Sequence, residues 1–314
     1  MYAKSTHKRN WIWESPEALA EQRRVVNKRF VALLQTHLDE RHVFPTSEEE
    51  LVNHRLLCQR GIRFAKEFLP KLPPPVLWIA FTFFKRFYTK VSALQLATPP
   101  KTMLMVCIFH AAKVYDHELR MGTFVAHLKT IDEEDIRMLE PILMRELNYE
   151  LVVHTPYKAF EGHLLEMKTR LPLLEFDLEE LRPHAMEFFE KALISDAMLL
   201  YAPTHIAYAA VKYALEKCDK PVEILKDFLY RFLDLDEANC SEEDREQAQK
   251  VLSRVNTIFD MVLEQCVPIP DDDKTNSIEC RIHDVYLLID NIDERMGSDS
   301  PFQQYLKLDD SDSD

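Results

Sequence analysis

Histidine is the commonest metal ligand in proteins and a ready proton shuttle, and twelve histidines are spread along the 314 residues. Their spacing suits neither task. Helical metal sites need ligands on one face, as Glu-x-x-His or His-x-x-x-His. No histidine here has a glutamate three positions before it, and no two lie three or four apart. His163 with Glu166 and His184 with Glu187 are single pairs of the reverse order, which solvated helix surfaces explain. Asp116-His117-Glu118 is a denser polar cluster, and its place beyond an apolar run reads as a helix end reaching solvent. One cation and one anion stand out instead. Lys113 directly follows an apolar stretch, so its stem starts in the core and its ammonium must reach an edge. Glu140 lies in Leu139-Glu140-Pro141-Ile142-Leu143, among apolar neighbours. Two readings stay open: ordinary helix-surface charges, or a polar pair at a partner-binding face, where losing one member strands the other.

Composition removes several chemistries. Dinucleotide, P-loop and nucleophile-elbow fingerprints need glycines close together, and the chain has only Gly61, Gly122, Gly162 and Gly297. The six cysteines are scattered, with no C-x-x-C motif, so neither a zinc site nor a disulfide framework is expected. A net charge of −14, with basic pairs such as Lys85-Arg86 no more than isolated doublets, argues against direct nucleic-acid binding. The longest purely apolar run, Met103 to Phe109, falls well short of the roughly 18 residues a membrane span needs. Trp11-Ile12-Trp13 runs into Glu14, which leaves no signal-peptide core. The expectation is an intracellular helical protein without a cofactor.

The helices can be placed from their caps and periods. Ser15-Pro16-Glu17 starts a helix, with serine as N-cap and proline in the first turn. It carries Leu19, Val26, Phe30 and Leu33 near one face, with Leu34 and Leu38 beside it, an arm that must lie against something. A second helix opens at Ser47 to Glu50. Phe83, Phe84, Phe87 and Tyr88 make one aromatic helix face. Met103 to Ala112 is apolar almost all round, the pattern of a helix in the middle of a domain. A further helix runs from about Glu133 to Asn148. The second half repeats the plan: a slide of 103 residues aligns Pro100 with Pro203 and Ala111 with Ala214. Behind the acidic cap Ser241 to Asp244, Val251, Val255, Ile258, Val262 and Cys266 keep a helical period. Beyond Asp271 the composition turns polar, with a weak helical stretch near Val285 to Ile292 and an acidic end.

Several segments in order resemble the cyclin family: Phe84-Lys85-Arg86-Phe87-Tyr88, then Phe109-His110-Ala111-Ala112-Lys113-Val114, then Glu140 with Leu147-Asn148-Tyr149. Val153 to Gly162 resembles the segment between two cyclin boxes, and Asp196 to Pro203 the entry to the second. Ser5 to Trp11 resembles the N-terminus of the branch that activates cyclin-dependent kinases. The resemblance implies an all-α fold of two tandem five-helix boxes flanked by helices. With the elements above it gives an N-terminal segment and helix (1–48), a first box (49–152), a second box (153–240), a C-terminal helix (241–268) and a polar, acidic, mostly disordered tail (269–314).

It also implies a function. The chain would be a non-catalytic nuclear subunit that activates a cyclin-dependent kinase catalytic subunit, acting with the assembly factor of the CDK-activating kinase and within general transcription factor II H. Lys113 and Glu140 would clamp the kinase αC helix, and Tyr149 and Leu151 would pack against that helix. Two departures are visible. Val114-Tyr115 precedes Asp116, where cyclins carry acidic residues at once, and His54-Arg55-Leu56-Leu57-Cys58 replaces the Met-Arg-x-x-Leu-x-x-Trp patch with which cell-cycle cyclins dock substrates. That docking groove is therefore not expected. The alternative is a two-box general transcription factor touching DNA directly, but such a factor would want an N-terminal zinc ribbon and a basic second box. Candidate phosphosites are Ser300, before Pro301, and Ser311 and Ser313 among aspartates.

Overall fold

The computed structural model describes residues 2–38, 42–235, 241–270 and 272–306, and among these every regular element is helical. They form two units. One comprises Met1–Ile12 with His154–Val267, the other Trp13–Val153 with Pro268–Asp314. A short helix, α1 (Thr6–Asn10), belongs to the former.

The unit holding Lys113 starts with α2 (Pro16–Gln35), where the Ser15 hydroxyl accepts from the Ala18 N–H and Pro16 sits in the first turn. Next is α3 (Ser47–Glu67), closed by a capping box between Thr46 and Glu49. Then come α4 (Pro74–Phe87), α5 (Pro100–Val114), the short α6 (Met121–Val125) and α7 (Glu133–Glu146). Every residue of α5 from Thr102 to Ala112 is buried, as its all-round apolarity requires, and it packs against α3, α4 and α7. The aromatic face of α4 is joined in the core by Trp78, Phe81 and even Arg86, so this helix too is buried nearly all round. Gly61 lets α3 approach α5: a Cβ there would lie 2.9 Å from the Leu104 side chain.

The structure departs from the sequence reading at the C-terminus. Residues 273–296, expected in a mostly disordered tail, form the long helix α14 (Asp273–Met296), and α15 (Pro301–Leu306) follows it. The reason is a clean stripe within a polar sequence. Ile278, Ile282, Val285, Tyr286, Ile289 and Ile292 recur at helical spacing and share a core with Phe30 and Leu34 of α2, Phe44, Leu94 and Phe302. This is what the amphipathic arm lies against. Within it Leu34, fully buried, holds the place expected for Leu33, which is exposed. A buried carboxylate ties the arm down: Glu50 accepts from the Asn27 amide (2.6 Å), the Ser92 hydroxyl (2.6 Å) and the Ala93 N–H (2.8 Å). Burial pushes the Glu50 carboxyl above its ordinary value, against these neutral donors.

In the other unit the chain order is α8 (Pro156–Arg170), α9 (Leu181–Ile194), α10 (Ala197–Leu200), α11 (Pro203–Lys217), α12 (Glu223–Phe232) and α13 (Glu242–Gln265). Here α11 is central, packed on α8, α9 and α13 through fully buried Ala207, Ala210 and Ala214. Pro203 opens it as Pro100 opens α5, so the aligned prolines start the central helix of each unit. The helix at 242–265 is part of this bundle rather than an appendage to it. It buries Val255, Ile258 and Val262 and packs on α9 and α11, and its terminal Gln265 accepts from the Asp196 N–H at 2.8 Å.

If α14 is structural, Ile289→Ala should cost about 2–4 kcal/mol of unfolding free energy, the usual range for emptying a buried isoleucine site. Urea denaturation followed by circular dichroism measures it, and an unchanged midpoint would contradict the packing described.

Candidate functional site

The site is assembled where α5 and α7 meet. On a helix, residues three apart share a face, and His110 and Lys113 of α5 both point at one carboxylate. Lys113 Nζ donates to both oxygens of Glu140, at 2.8 and 2.7 Å, and His110 Nδ1 lies 2.6 Å from Oε1 of the same group. A carboxylate in that position only accepts, which assigns the proton to Nδ1. His110 is buried at the foot of the site, Glu140 is mostly covered, and half of the Lys113 side chain remains exposed. The ammonium sits over the Phe109 ring, 4.7 Å from its centroid.

Local sequence explains each position. Lys113 falls in the last turn of α5, where the helix carbonyls favour a cation. The chain then leaves through Asp116 in the left-handed region (φ +59°), its His117 N–H bonded to the Ala112 carbonyl at 2.8 Å. Helix α7 starts at a capping box between Asp132 and Asp135, and buries Ile136, Leu139, Ile142 and Leu143. That stripe turns Glu140 toward α5. Burial raises the Glu140 carboxyl, but the hydrogen bonds from His110 and Lys113 and the lysine charge outweigh it, so the group is held below its ordinary value.

Of the expected residues, Lys113 and Glu140 are brought into contact. Tyr149 and Leu151 take no part in that network. They follow α7 in a turn where Asn148 (φ +53°) and Tyr149 (φ +56°) are both left-handed, pinned by the Tyr149 N–H on the Met144 carbonyl at 2.9 Å. Lys90 Nζ donates to Asn148 Oδ1 at 2.9 Å, and Arg86 reaches the Glu150 carbonyl. The turn holds the Tyr149 side chain 67 % exposed and leaves Leu151 partly covered. The member missed by sequence reasoning is His110. Its signal was present, one turn before Lys113 on the same helix face.

A family model described as the cyclin C-terminal domain matches residues 155–263, a span that runs through most of α13. Cyclin-H of Xenopus laevis is 34% identical over 220 residues, covering 67% of this chain and 67% of that protein. The chain belongs to the cyclin H family. The cyclin mcs2 of Schizosaccharomyces pombe is 28% identical over 66% of this chain and 67% of its own length. Among solved structures, a chain of the CAK complex from Chaetomium thermophilum bound to ATP-gamma-S shares the fold with a TM-score of 0.77. It is 22% identical and covered over 98% of this chain and 97% of that one. The yeast TFIIK (Kin28/Ccl1/Tfb3) complex contains a chain with a TM-score of 0.64 and 22% identity, covering 83% of this cyclin and 100% of that chain.

The candidate phosphosites of this cyclin fare differently. Ser300 is fully buried: its hydroxyl donates to the Asp293 carboxylate and caps α15 at the Phe302 N–H. Ser300-Pro301 thus repeats the serine-cap and first-turn-proline arrangement of Ser15-Pro16, and in this conformation a kinase cannot reach it. Ser311 and Ser313 lie outside the described residues.

The lowered Glu140 pKa makes a pH prediction. A carboxyl whose folded value is depressed stabilises above its unfolded pKa, and that contribution is lost as pH falls through the folded value. Glu140→Gln should be less stable than wild type by about 1 kcal/mol near pH 7, with the gap closing below the ordinary carboxylate range. Urea titrations at several pH values test this, and a gap that stays constant with pH would contradict the ion-pair account.

Proposed function

We propose that this cyclin is the non-catalytic regulatory subunit of a cyclin-dependent kinase. In this reading it binds the catalytic subunit together with an assembly factor, as the CDK-activating kinase, and serves in the nucleus as the kinase module of general transcription factor II H. Similarity to Cyclin-H supports the kinase partner, and the CAK and TFIIK complexes whose chains share its fold support the assembly.

The observation that carries the reading is the half-exposed Lys113 ammonium fixed over a covered Glu140. A free surface lysine samples many rotamers, whereas this one is held by two hydrogen bonds and an aromatic face. It can present remaining donor capacity to carbonyls at the start of a partner helix, while Glu140 accepts from that helix's first N–H groups. Tyr149 and Leu151 supply apolar surface beside it. A protein kinase aligns its nucleotide phosphates only when the αC glutamate pairs with the β3 lysine. A subunit that binds the helix-in state alone shifts the kinase population toward activity.

Lys113→Ala and Glu140→Ala should each weaken binding of the kinase subunit by about 2–5 kcal/mol, the scale for splitting a desolvated charge pair, while the helical circular-dichroism signal is kept. Calorimetry with the purified kinase measures this. Wild-type affinity in both variants would remove this face from the interface.

A further inference from the structure

In the apolar stretch from Met103 to Ala112, His110 is the single polar interruption. It is only 5% exposed and lies against the ring of Phe83, with 5.8 Å between centroids. Its Nδ1 donates to Glu140, while Nε2 is buried with no hydrogen-bond partner among the described residues. A buried polar atom left unpaired is costly and calls for an explanation. An apolar side chain would fill the same space without that cost, so packing alone does not account for a histidine here.

The division of donors between the two oxygens of Glu140 supplies a reason. Oε1 accepts from His110 at 2.6 Å and from Lys113 at 2.8 Å. Oε2 accepts from Lys113 alone among the described residues, at 2.7 Å. An ammonium carries three protons, and here two are directed at Glu140. Because the Lys113 side chain is half exposed, it can turn toward carbonyl groups of a partner, but each further turn withdraws a donor from the carboxylate. With lysine as its sole anchor, Glu140 would then swing free or draw the ammonium back. The His110 ring, enclosed by the core, cannot follow the lysine out, so its hydrogen bond stays in place.

We infer that His110 is a positioning residue for kinase binding: it anchors Oε1 of Glu140, which frees Lys113 to turn to the partner's carbonyls and leaves Oε2 to accept from the first N–H groups of the partner helix. One oxygen is the anchor and the other makes the contact. The inference rests on the proposed role of Lys113 and Glu140 in gripping the kinase, and it adds a residue that never touches the kinase itself. It also explains why the unpaired Nε2 is retained, since the histidine serves binding at the expense of folding. Stability and affinity should therefore part company on substitution.

Two variants, measured by calorimetry against the purified kinase subunit and by thermal melting, test this. His110→Leu removes the donor and the unpaired nitrogen together. It should melt at or above the wild-type temperature yet bind the kinase about tenfold more weakly, the scale of one charge-assisted hydrogen bond. His110→Asn keeps an amide N–H near the place of Nδ1 and should restore most of that loss. In protein labelled with ¹⁵N-histidine, the Nδ1 proton should remain hydrogen-bonded after the kinase is added. Wild-type affinity in His110→Leu would overturn the assignment, as would an asparagine variant as weak as the leucine one, or loss of the Nδ1 proton signal in the complex. A His110→Leu protein that melts well below wild type would also overturn it, by making the residue structural. Lys113→Ala and Glu140→Ala separate the two claims. If they bind as wild type, the proposed face fails and this inference with it; if they weaken binding and His110→Leu does not, only this inference fails.

Discussion

A carboxylate taken out of water must be repaid by its neighbours, and the outcome depends on whether those neighbours are charged. Glu140 and Glu50 make the comparison within one unit of one molecule. Glu50 accepts three hydrogen bonds, all from neutral groups, and burial still drives its carboxyl upward. Glu140 is less deeply covered, accepts from His110 at one oxygen and from the Lys113 ammonium at both, and is held downward. The first is therefore a fastening for α2, α3 and the 92–93 segment. The second stays an anion at the surface, and only an anion can keep Lys113 in one place.

That arrangement requires a helix buried along nearly its whole length that still ends in a charge at an edge. Helix α5 meets the requirement because its apolar residues cover every face up to Ala112, so the next side chain is the first that can leave the core. The repeat shows that a central helix is not enough. At the same 103-residue offset that pairs Pro100 with Pro203, His110 corresponds to Tyr213 and Lys113 to Glu216. Tyr213 donates instead to Glu187 at 2.7 Å, within its own bundle. Both units solve the packing problem alike, and at these equivalent positions only the unit with α5 carries a cation over a covered anion.

Legibility followed the strength of the local signal. The central helices and the proline starts could be read because uniform apolarity and proline have few other uses. Helix α14 was misjudged by its average composition, since its six buried apolar residues sit among acids and bases. Periodicity, not polarity, was the informative quantity there. The helix at 242–265 was legible as a helix but not as a member of the second bundle, because which face meets which neighbour is a tertiary fact. His110 could be read only at second hand: it lies one turn before Lys113 on the same face of α5, so it follows once Lys113 and Glu140 are paired. Ser300-Pro301 shows the ambiguity of a short motif. A dipeptide that matches a modification signal also matches a helix cap, and burial decides for the cap in this conformation.

The turn after α7 completes the physical case for a rigid surface. Two consecutive non-glycine residues in the left-handed region, Asn148 and Tyr149, cost about 1–2 kcal/mol each relative to ordinary backbone. Asparagine tolerates this better than tyrosine, and Lys90 fixes its side chain. Such strain persists only where surrounding contacts over-determine it, and here the fully buried Leu147 and the backbone bonds to Met144 and Arg145 do so. The result is a tyrosine displayed in the open by a backbone that cannot relax. A surface held this way would lose little conformational freedom on association, which is what the proposed selection of one position of a partner's mobile helix requires.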